Sequence, residues 1–266
     1  MIKKEIKYSE IMNFNVKAAT DSLIKWIQEW FRKNGDGCNA VIGISGGKDS
    51  TVCAGLLVKA LGKDRVIGVM MPNGIQADID DSKKIVDFLG IKSYIINIEG
   101  AYNDILQHLK VDNEINVTKQ TKENLPARLR MSTLYAVSQS VNGRVCNTCN
   151  MSEDWVGYST RYGDSVGDFS LLSNYTVTEV KEIGHYLGLP AELVDKTPAD
   201  GLCGKSDEDN LGFTYRELDD YIRYGILPSP EIKEIIDRKY ERNLFKLQLM
   251  QTAPQYGFPN ILHYEQ

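Results

Sequence analysis

The chain has 266 residues, 42% apolar and 25% charged, which suits one large or two small globular domains and is enough to bury a core. Its formal net charge of −5 offers nucleic acid or an anionic membrane no overall field, so any anion site must be local. No run approaches the roughly 18 apolar residues of a spanning helix, and "MIKKEIKYSEIM" lacks the apolar stretch of a signal peptide, so a cytoplasmic protein without membrane partners is expected.

The five cysteines (Cys38, Cys53, Cys146, Cys149, Cys203) are an odd set, which favours reduced thiols over a disulfide framework. No repeat, low-complexity tract or Pro/Gly/Ser-rich linker interrupts the chain, and the simplest partition is a single domain over 1–266 with helical additions. Residues 16–33 carry Leu23, Ile24, Ile27, Trp30 and Phe31 at helical spacing, and "KNGDG" ends that helix.

Three short apolar runs follow, "AVIGI" (40–44), "RVIGVMM" (65–71) and "SYIINI" (93–98), which read as buried strands. Between them "DSTVCAGLLVKALG" and "DIDDSKKIVDFLG" read as one-faced helices closed by glycine. Alternation of this kind predicts an α/β fold with a parallel sheet and right-handed crossovers. A long helix over 123–143 leads to a fourth strand at "RVCNT", where the sheet is expected to end. The last third reads as mostly helical: Thr176 to Glu179 and Thr214 to Glu217 fit capping boxes, and Ser229-Pro230 opens a long helix. His108 and His185 fall on amphipathic helices and His263 in a C-terminal tail, where surface or packing roles are expected.

The first strand runs into "GISGGKDST" (43–51) and then a helix, where free N–H groups and the helix dipole favour phosphate. A Walker A loop does not fit, because Asp49 rather than Ser or Thr follows Lys48; a GxGxxG dinucleotide loop does not fit the spacing of Gly43, Gly46 and Gly47. An ionised Asp49 beside phosphate oxygens is repelled unless a cation lies between them. Magnesium, usually held by one or two carboxylates plus substrate phosphates, resolves the conflict. Ser45, Ser50 and the loop N–H groups would then bind phosphate, with Lys48 neutralising charge.

"SGGKDS" resembles the SGGxDS signature of the N-type ATP pyrophosphatases, which cut ATP between its α and β phosphates. Further stretches, spanning most of the chain, resemble NAD synthetases, which amidate deamido-NAD. The resemblance implies a Rossmann-like adenine nucleotide alpha hydrolase fold, ATP as co-substrate, Mg²⁺, ammonia as nitrogen donor and a homodimer. It places Gly43, Ile44, Ser45, Gly46, Gly47, Lys48, Asp49 and Ser50 at ATP, and Gln76 of "MPNGIQADIDDS" as a nucleotide contact.

"NLPARLRM" resembles the family's arginine helix: Asn124 and Arg128 are implied at the pyridine substrate and Arg130 at ATP, the two arginines pointing to different sides of a helix. "NTCNMSED" aligns Thr148 with an ATP contact and Glu153 with a second metal ligand, with Asn147 replacing the family's glycine. "YSTRYGDSVGD" supplies Arg161, where the family commonly has lysine, and Asp164 and Asp168. Asp164 is the candidate for holding ammonium or taking its proton, and Asp168 for contacting deamido-NAD. Lys205 and Ser206 are expected to reach phosphates.

Three departures stand out: Val177 where the family has an ATP-binding lysine, Ala199 where it has threonine, and Phe245-Lys246 in place of a His-Lys pair. Lys246 is still expected at the substrate. The helix around Trp26, Trp30 and Phe31 serves either a dimer interface or the core. Two rivals remain. A tRNA-thiolating pyrophosphatase is suggested by Cys146 and Cys149, but too few metal-ligating residues accompany them, and the pair reads as strand-end packing. A non-catalytic adenine-nucleotide sensor is suggested by Val177 and Ala199.

Overall fold

The computed structural model describes residues 14–110, 115–196 and 207–250. Helix α1 (Val16–Asn34) begins at Asn15, whose side chain accepts from the Ala18 N–H, and its buried stripe is Thr20, Leu23, Ile27 and Phe31. Strand β1 (Asn39–Gly43) then enters the middle of the molecule. Helix α2 (Lys48–Leu61), strand β2 (Val66–Met70), helix α3 (Ile79–Leu89) and strand β3 (Lys92–Ile95) complete two crossovers to one side of β1.

Helices α4 (Glu99–Lys110) and α5 (Lys119–Ser140) carry the chain back, and strand β4 (Gly143–Asn147) pairs with the other side of β1. The sheet is parallel throughout, in the order β3-β2-β1-β4-β5. Its fifth strand, β5 (Phe169–Ser170), corrects the expectation that the sheet ends at β4; two residues are too few to show a period. Crossovers therefore diverge between β1 and β4, and a crevice opens there at the carboxyl ends of the strands.

Successive β1 residues feed opposite faces of the sheet. Ala40 and Ile42 join Leu23, Ile27, Phe31, Val52, Leu56 and Ile183 on one side, while Val41 joins Val69, Met131, Leu134 and Val145 on the other. Trp30 stacks within 4.6 Å of Phe169 and Phe31 is buried, so those two rings of the aromatic helix serve the core; Trp26 is 41% exposed.

Helix α5 starts at Lys119, four residues before the expected point, behind the N-cap Thr118, and contains Pro126. Proline removes the donor that the Lys122 carbonyl would receive, and the Tyr102 hydroxyl reaches that oxygen instead. After β4 come a short helix α6 (Met151–Val156), then α7 (Val177–Tyr186), α8 (Ala191–Val194), α9 (Asp207–Leu211), α10 (Tyr215–Tyr224) and α11 (Pro230–Leu247). Both expected capping boxes form at Thr176 and Thr214, and Ser229-Pro230 opens α11. A separate small core of Val156, Val177, Leu211, Phe213, Leu218 and Ile236 ties these helices together. No helix of the described residues is long and apolar enough to cross a membrane.

Candidate active site

The loop from Gly43 to Gly47 leaves β1 and delivers α2 with no side-chain hydrogen bond capping its first turn. The turn is held by short polar links: the Ser45 N–H donates to Ser50 Oγ (3.3 Å), the two serine hydroxyls are 3.1 Å apart, and the Gly47 N–H donates to Ser45 Oγ (3.3 Å). Gly46 has φ of 78°, and a Cβ there would come within 2.8 Å of the Ser82 backbone nitrogen, so only glycine suits both the turn and its approach to α3.

Two carboxylates meet beside this loop. Asp49 lies in the first turn of α2, and Glu153 in the first turn of α6, immediately beyond β4. The Lys48 ammonium bridges them, 2.8 Å from Asp49 Oδ2 and 3.8 Å from Glu153 Oε1, with its side chain only 3% exposed. Asn150 Nδ2 donates to Asp49 Oδ1 at 3.0 Å, while Asn150 Oδ1 accepts from the Glu153 N–H. Burial and the neighbouring Asp49 charge push Glu153 up to about 8, although Lys48 opposes this. Lys48 is itself disfavoured as a cation by burial, but Asp49 and Glu153 outweigh that and hold it charged.

The donor set fits Mg²⁺. Two carboxylates on one crevice are what this ion takes when phosphates and water complete its shell, and the space between them already holds a positive group. Asp207 adds a further buried carboxylate behind them, accepting from the Tyr158 hydroxyl at 3.1 Å; Tyr215, 5.6 Å beneath the Lys48 ammonium, also reaches it.

The second group of expected residues surrounds the loop from Tyr158 to Asp168. The Asp164 carboxylate accepts from the Thr160 N–H (2.8 Å), and although the residue is exposed overall, the packing around its carboxyl raises its pKa. Asn124 Oδ1 accepts from the Thr160 hydroxyl (3.0 Å), Arg128 Nε donates to the Arg161 carbonyl (3.3 Å), and Lys246 Nζ donates to the carbonyls of Gly157 (2.7 Å) and Ser159 (3.0 Å). The Arg161 guanidinium lies between the rings of Tyr162 and Phe245, 5.0 and 5.3 Å away. Gly163 packs so closely on α5 that a Cβ would lie 3.0 Å from that of Ala127.

Arg130 points the other way from Arg128, as expected, and donates to the Met71 carbonyl at the end of β2; burial lowers its pKa. Asp168 spans two elements, accepting from the Tyr135 hydroxyl (3.2 Å) and the Val145 N–H (2.7 Å). Gln76 donates to Asp78, in a loop that Lys196 pins through Asp78 and Asp81, and Thr148 follows β4 half-buried. Lys205 and Ser206, with Ala199 and Cys203, lie outside the described residues.

Asn147, where the family pattern has glycine, is buried and braces the second loop. Its amide donates to the Asp164 carbonyl (2.7 Å) and its oxygen accepts from the Cys149 N–H (2.9 Å). Val177 turns its side chain into the small helical core rather than the crevice. The four described cysteines are buried and free; burial raises the Cys149 pKa, and its thiol donates to the Asp164 carbonyl. Among the described residues no group of three or more His, Cys, Asp or Glu is set to hold a metal. Asn150, Asp207 and Tyr215 were not singled out from sequence. Asn150 had a signal, since Asn150 to Glu153 is a third capping box.

A parallel sheet with a phosphate-type loop at its switch point and paired carboxylates beside it defines an ATP-using α/β enzyme of the adenine nucleotide alpha hydrolase fold. The chain belongs to the NAD synthase family, whose family model matches residues 19–252. It is 39% identical over 203 residues to the NH3-dependent NAD+ synthetase of Pyrococcus horikoshii, covering 76% of this chain and 77% of that one. It is 33% identical over 237 residues to that of Carboxydothermus hydrogenoformans, covering 88% and 96%.

Among solved structures, an NMN synthetase from Francisella tularensis matches with a TM-score of 0.83 and 34% identity over 91% of this chain and 99% of that one. An NH3-dependent NAD synthetase from Campylobacter jejuni matches with 0.74 and 25% identity over 91% and 100%. The chain is thus an ammonia-dependent ligase of the NAD synthetase type that uses ATP.

Proposed function

We propose that the chain converts deamido-NAD to NAD through an adenylate, releasing AMP and pyrophosphate. The observation that carries this reading is the pair Asp49 and Glu153 facing one another across a buried cation at the mouth of the glycine loop. Bound there, Mg²⁺ supplies charge neutralisation for the triphosphate and the departing pyrophosphate. The loop N–H groups and Ser45 and Ser50 hold phosphate oxygens, and Lys48 and Arg130 add positive charge.

An oxygen of the nicotinate carboxylate attacks the α-phosphorus, and the bond to the pyrophosphate oxygen breaks. Ammonia then attacks the activated carbonyl carbon, AMP leaves with the former carboxylate oxygen, and Asp164 receives the proton that the nitrogen sheds. A carboxyl whose pKa lies above the ordinary range suits that task. Arg128, Arg161, Asn124, Asp168 and Lys246 position the pyridine substrate, with ATP contacts from Gln76, Thr148, Lys205 and Ser206. A homodimer in the cytoplasm, with no nucleic acid partner, belongs to the same reading.

One observation favours a second substrate. The NMN synthetase of Francisella tularensis matches this chain over 99% of its own length at 34% identity, above the 25% of the Campylobacter jejuni NAD synthetase. Nicotinate mononucleotide presents the same carboxylate on a shorter molecule. The deciding experiment incubates the chain with ATP, Mg²⁺ and ammonium and either deamido-NAD or nicotinate mononucleotide, following amide product and AMP. Faster amidation of deamido-NAD supports the first reading and faster amidation of the mononucleotide the second. ADP in place of AMP, or no turnover with retained ATP binding, overturns both; the latter result leaves the nucleotide sensor.

A further inference from the structure

Lys48 occupies a place that the proposed chemistry must vacate. Its neighbours along α2, including Thr51, Val52 and Cys53, are fully buried, so an apolar side chain would fit the surroundings more cheaply than an ammonium. A buried cation is tolerated only with close partners, and Lys48 has two: Asp49 at 2.8 Å and Glu153 at 3.8 Å. Those are the same two carboxylates that suit a divalent ion. With a divalent ion on both, the charge of the two carboxylates is spent on the metal, and the ammonium loses the attraction that offsets its burial.

A second seat lies nearby. The Asp207 carboxylate, only 6% exposed, is fixed by the Tyr158 hydroxyl at 3.1 Å and lies within 3.5 Å of the Tyr215 hydroxyl, whose ring underlies the Lys48 ammonium at 5.6 Å. Its charge also acts on Lys48. Incoming phosphates would add anions on the loop side.

We propose that Lys48 is an exchangeable internal cation: it neutralises Asp49 and lies against Glu153 before metal arrives, then moves towards Asp207 and the ATP phosphates when a divalent ion takes the two carboxylates. The exchange makes metal entry weak in the absence of nucleotide and couples it to ATP, because ATP supplies the anions that receive the displaced ammonium. This inference rests on the two-carboxylate metal centre of the proposed function.

The test is Mn²⁺ binding to the full chain without nucleotide, followed by electron paramagnetic resonance, so that turnover is not the readout. Lys48→Met removes the competitor and is expected to tighten Mn²⁺ at least tenfold, whereas Lys48→Arg keeps a cation and stays near the unsubstituted chain. If Lys48→Met does not fold, Lys48→Gln carries the same arm. Asp207→Asn is expected to weaken Mn²⁺ several-fold in the unsubstituted chain and to leave it unchanged beside Lys48→Met, since no ammonium then needs a seat. Unchanged or weaker Mn²⁺ binding in Lys48→Met overturns the exchange, and equal losses in both backgrounds overturn Asp207 as the seat. Glu153→Gln separates the two levels: loss of Mn²⁺ there with no gain in Lys48→Met sinks the exchange alone, while unaltered binding sinks the metal centre beneath it.

Discussion

The crevice between β1 and β4 and the loop from Tyr158 to Asp168 are neighbours built on opposite electrostatic plans. In the crevice, charge meets charge: Lys48 lies between Asp49 and Glu153, and Asn150 locks Asp49 from the side. Around the loop, cations meet backbone carbonyls: Arg128 on Arg161, Arg161 on Gln248, and Lys246 on Gly157 and Ser159. A hydrogen bond to an ionised group is roughly twice as strong as one to a neutral acceptor. A substrate carboxylate or phosphate therefore outcompetes those carbonyls easily, while nothing short of another cation displaces Lys48. The adenylating half is assembled in advance, and the amidating half is organised by what binds to it.

If that division holds, a change in either half silences a different step. Asp49→Asn strikes the preassembled half and is expected to lower pyrophosphate release by about a hundred- to a thousandfold, the scale of removing one charge-stabilising group. Equal loss of ATP binding without metal would show that Asp49 shapes the loop rather than the charge. Asp164→Asn strikes the other half, and amide formation is expected to fall about a hundredfold. Exchange of labelled pyrophosphate into ATP, which reports adenylation alone, should stay within a few-fold; a matching drop would erase the distinction between the halves.

The crevice was far more legible in sequence than the loop, for a physical reason. Asp49 and the glycines announce themselves because one short segment must supply turn, helix start and charge together, and β-branched strands in alternation fix where that segment lies. Glu153 was found by resemblance, yet its capping partner Asn150 follows an ordinary local rule. Asp207 lies more than fifty residues further along, and the tyrosines that hold it touch it only after α9 and α10 pack, so no periodicity reveals it. The same applies to Asn147: replacing a small residue by a buried amide looks like a weakened motif until the carbonyls it satisfies are in view. Strand β5 escaped because Phe169–Ser170 is held by pairing to β4, not by any pattern of its own.

A subtler effect should appear in the pH dependence of the metal-free chain. Glu153 holds its proton up to about 8 in the folded state, well above an ordinary glutamate. Between those two values the unfolded chain has released a proton that the folded chain keeps, so the folded state loses stability as pH rises through the window and levels off above it. Thermal melts from pH 5 to 9 should show the decline, and both Glu153→Gln and saturating Mg²⁺, which favours the ionised carboxylate, should flatten it. A decline unchanged in Glu153→Gln would place its origin elsewhere.

The smallest effect tests whether the loop is only substrate-organised or also braced from behind. Asn147→Gly restores the family's glycine, but here it strips the Cys149 N–H of its side-chain partner, and leaves the Asp164 carbonyl to the Cys149 thiol and the Ser170 hydroxyl to Ser173. Gly167 packs against the Asn147 backbone, where a Cβ would lie 2.7 Å from its nitrogen. Losing a buried hydrogen-bond partner costs about 1 to 3 kcal/mol, a fall in melting temperature of about 2–4 °C per kcal/mol in a chain of this size. The KM for the pyridine substrate should rise several-fold while pyrophosphate exchange is untouched, because β4 and Glu153 keep their own pairing and cap. If melting temperature falls but KM does not move, Asn147 supports the sheet edge alone, and the loop takes its working shape entirely from the substrate.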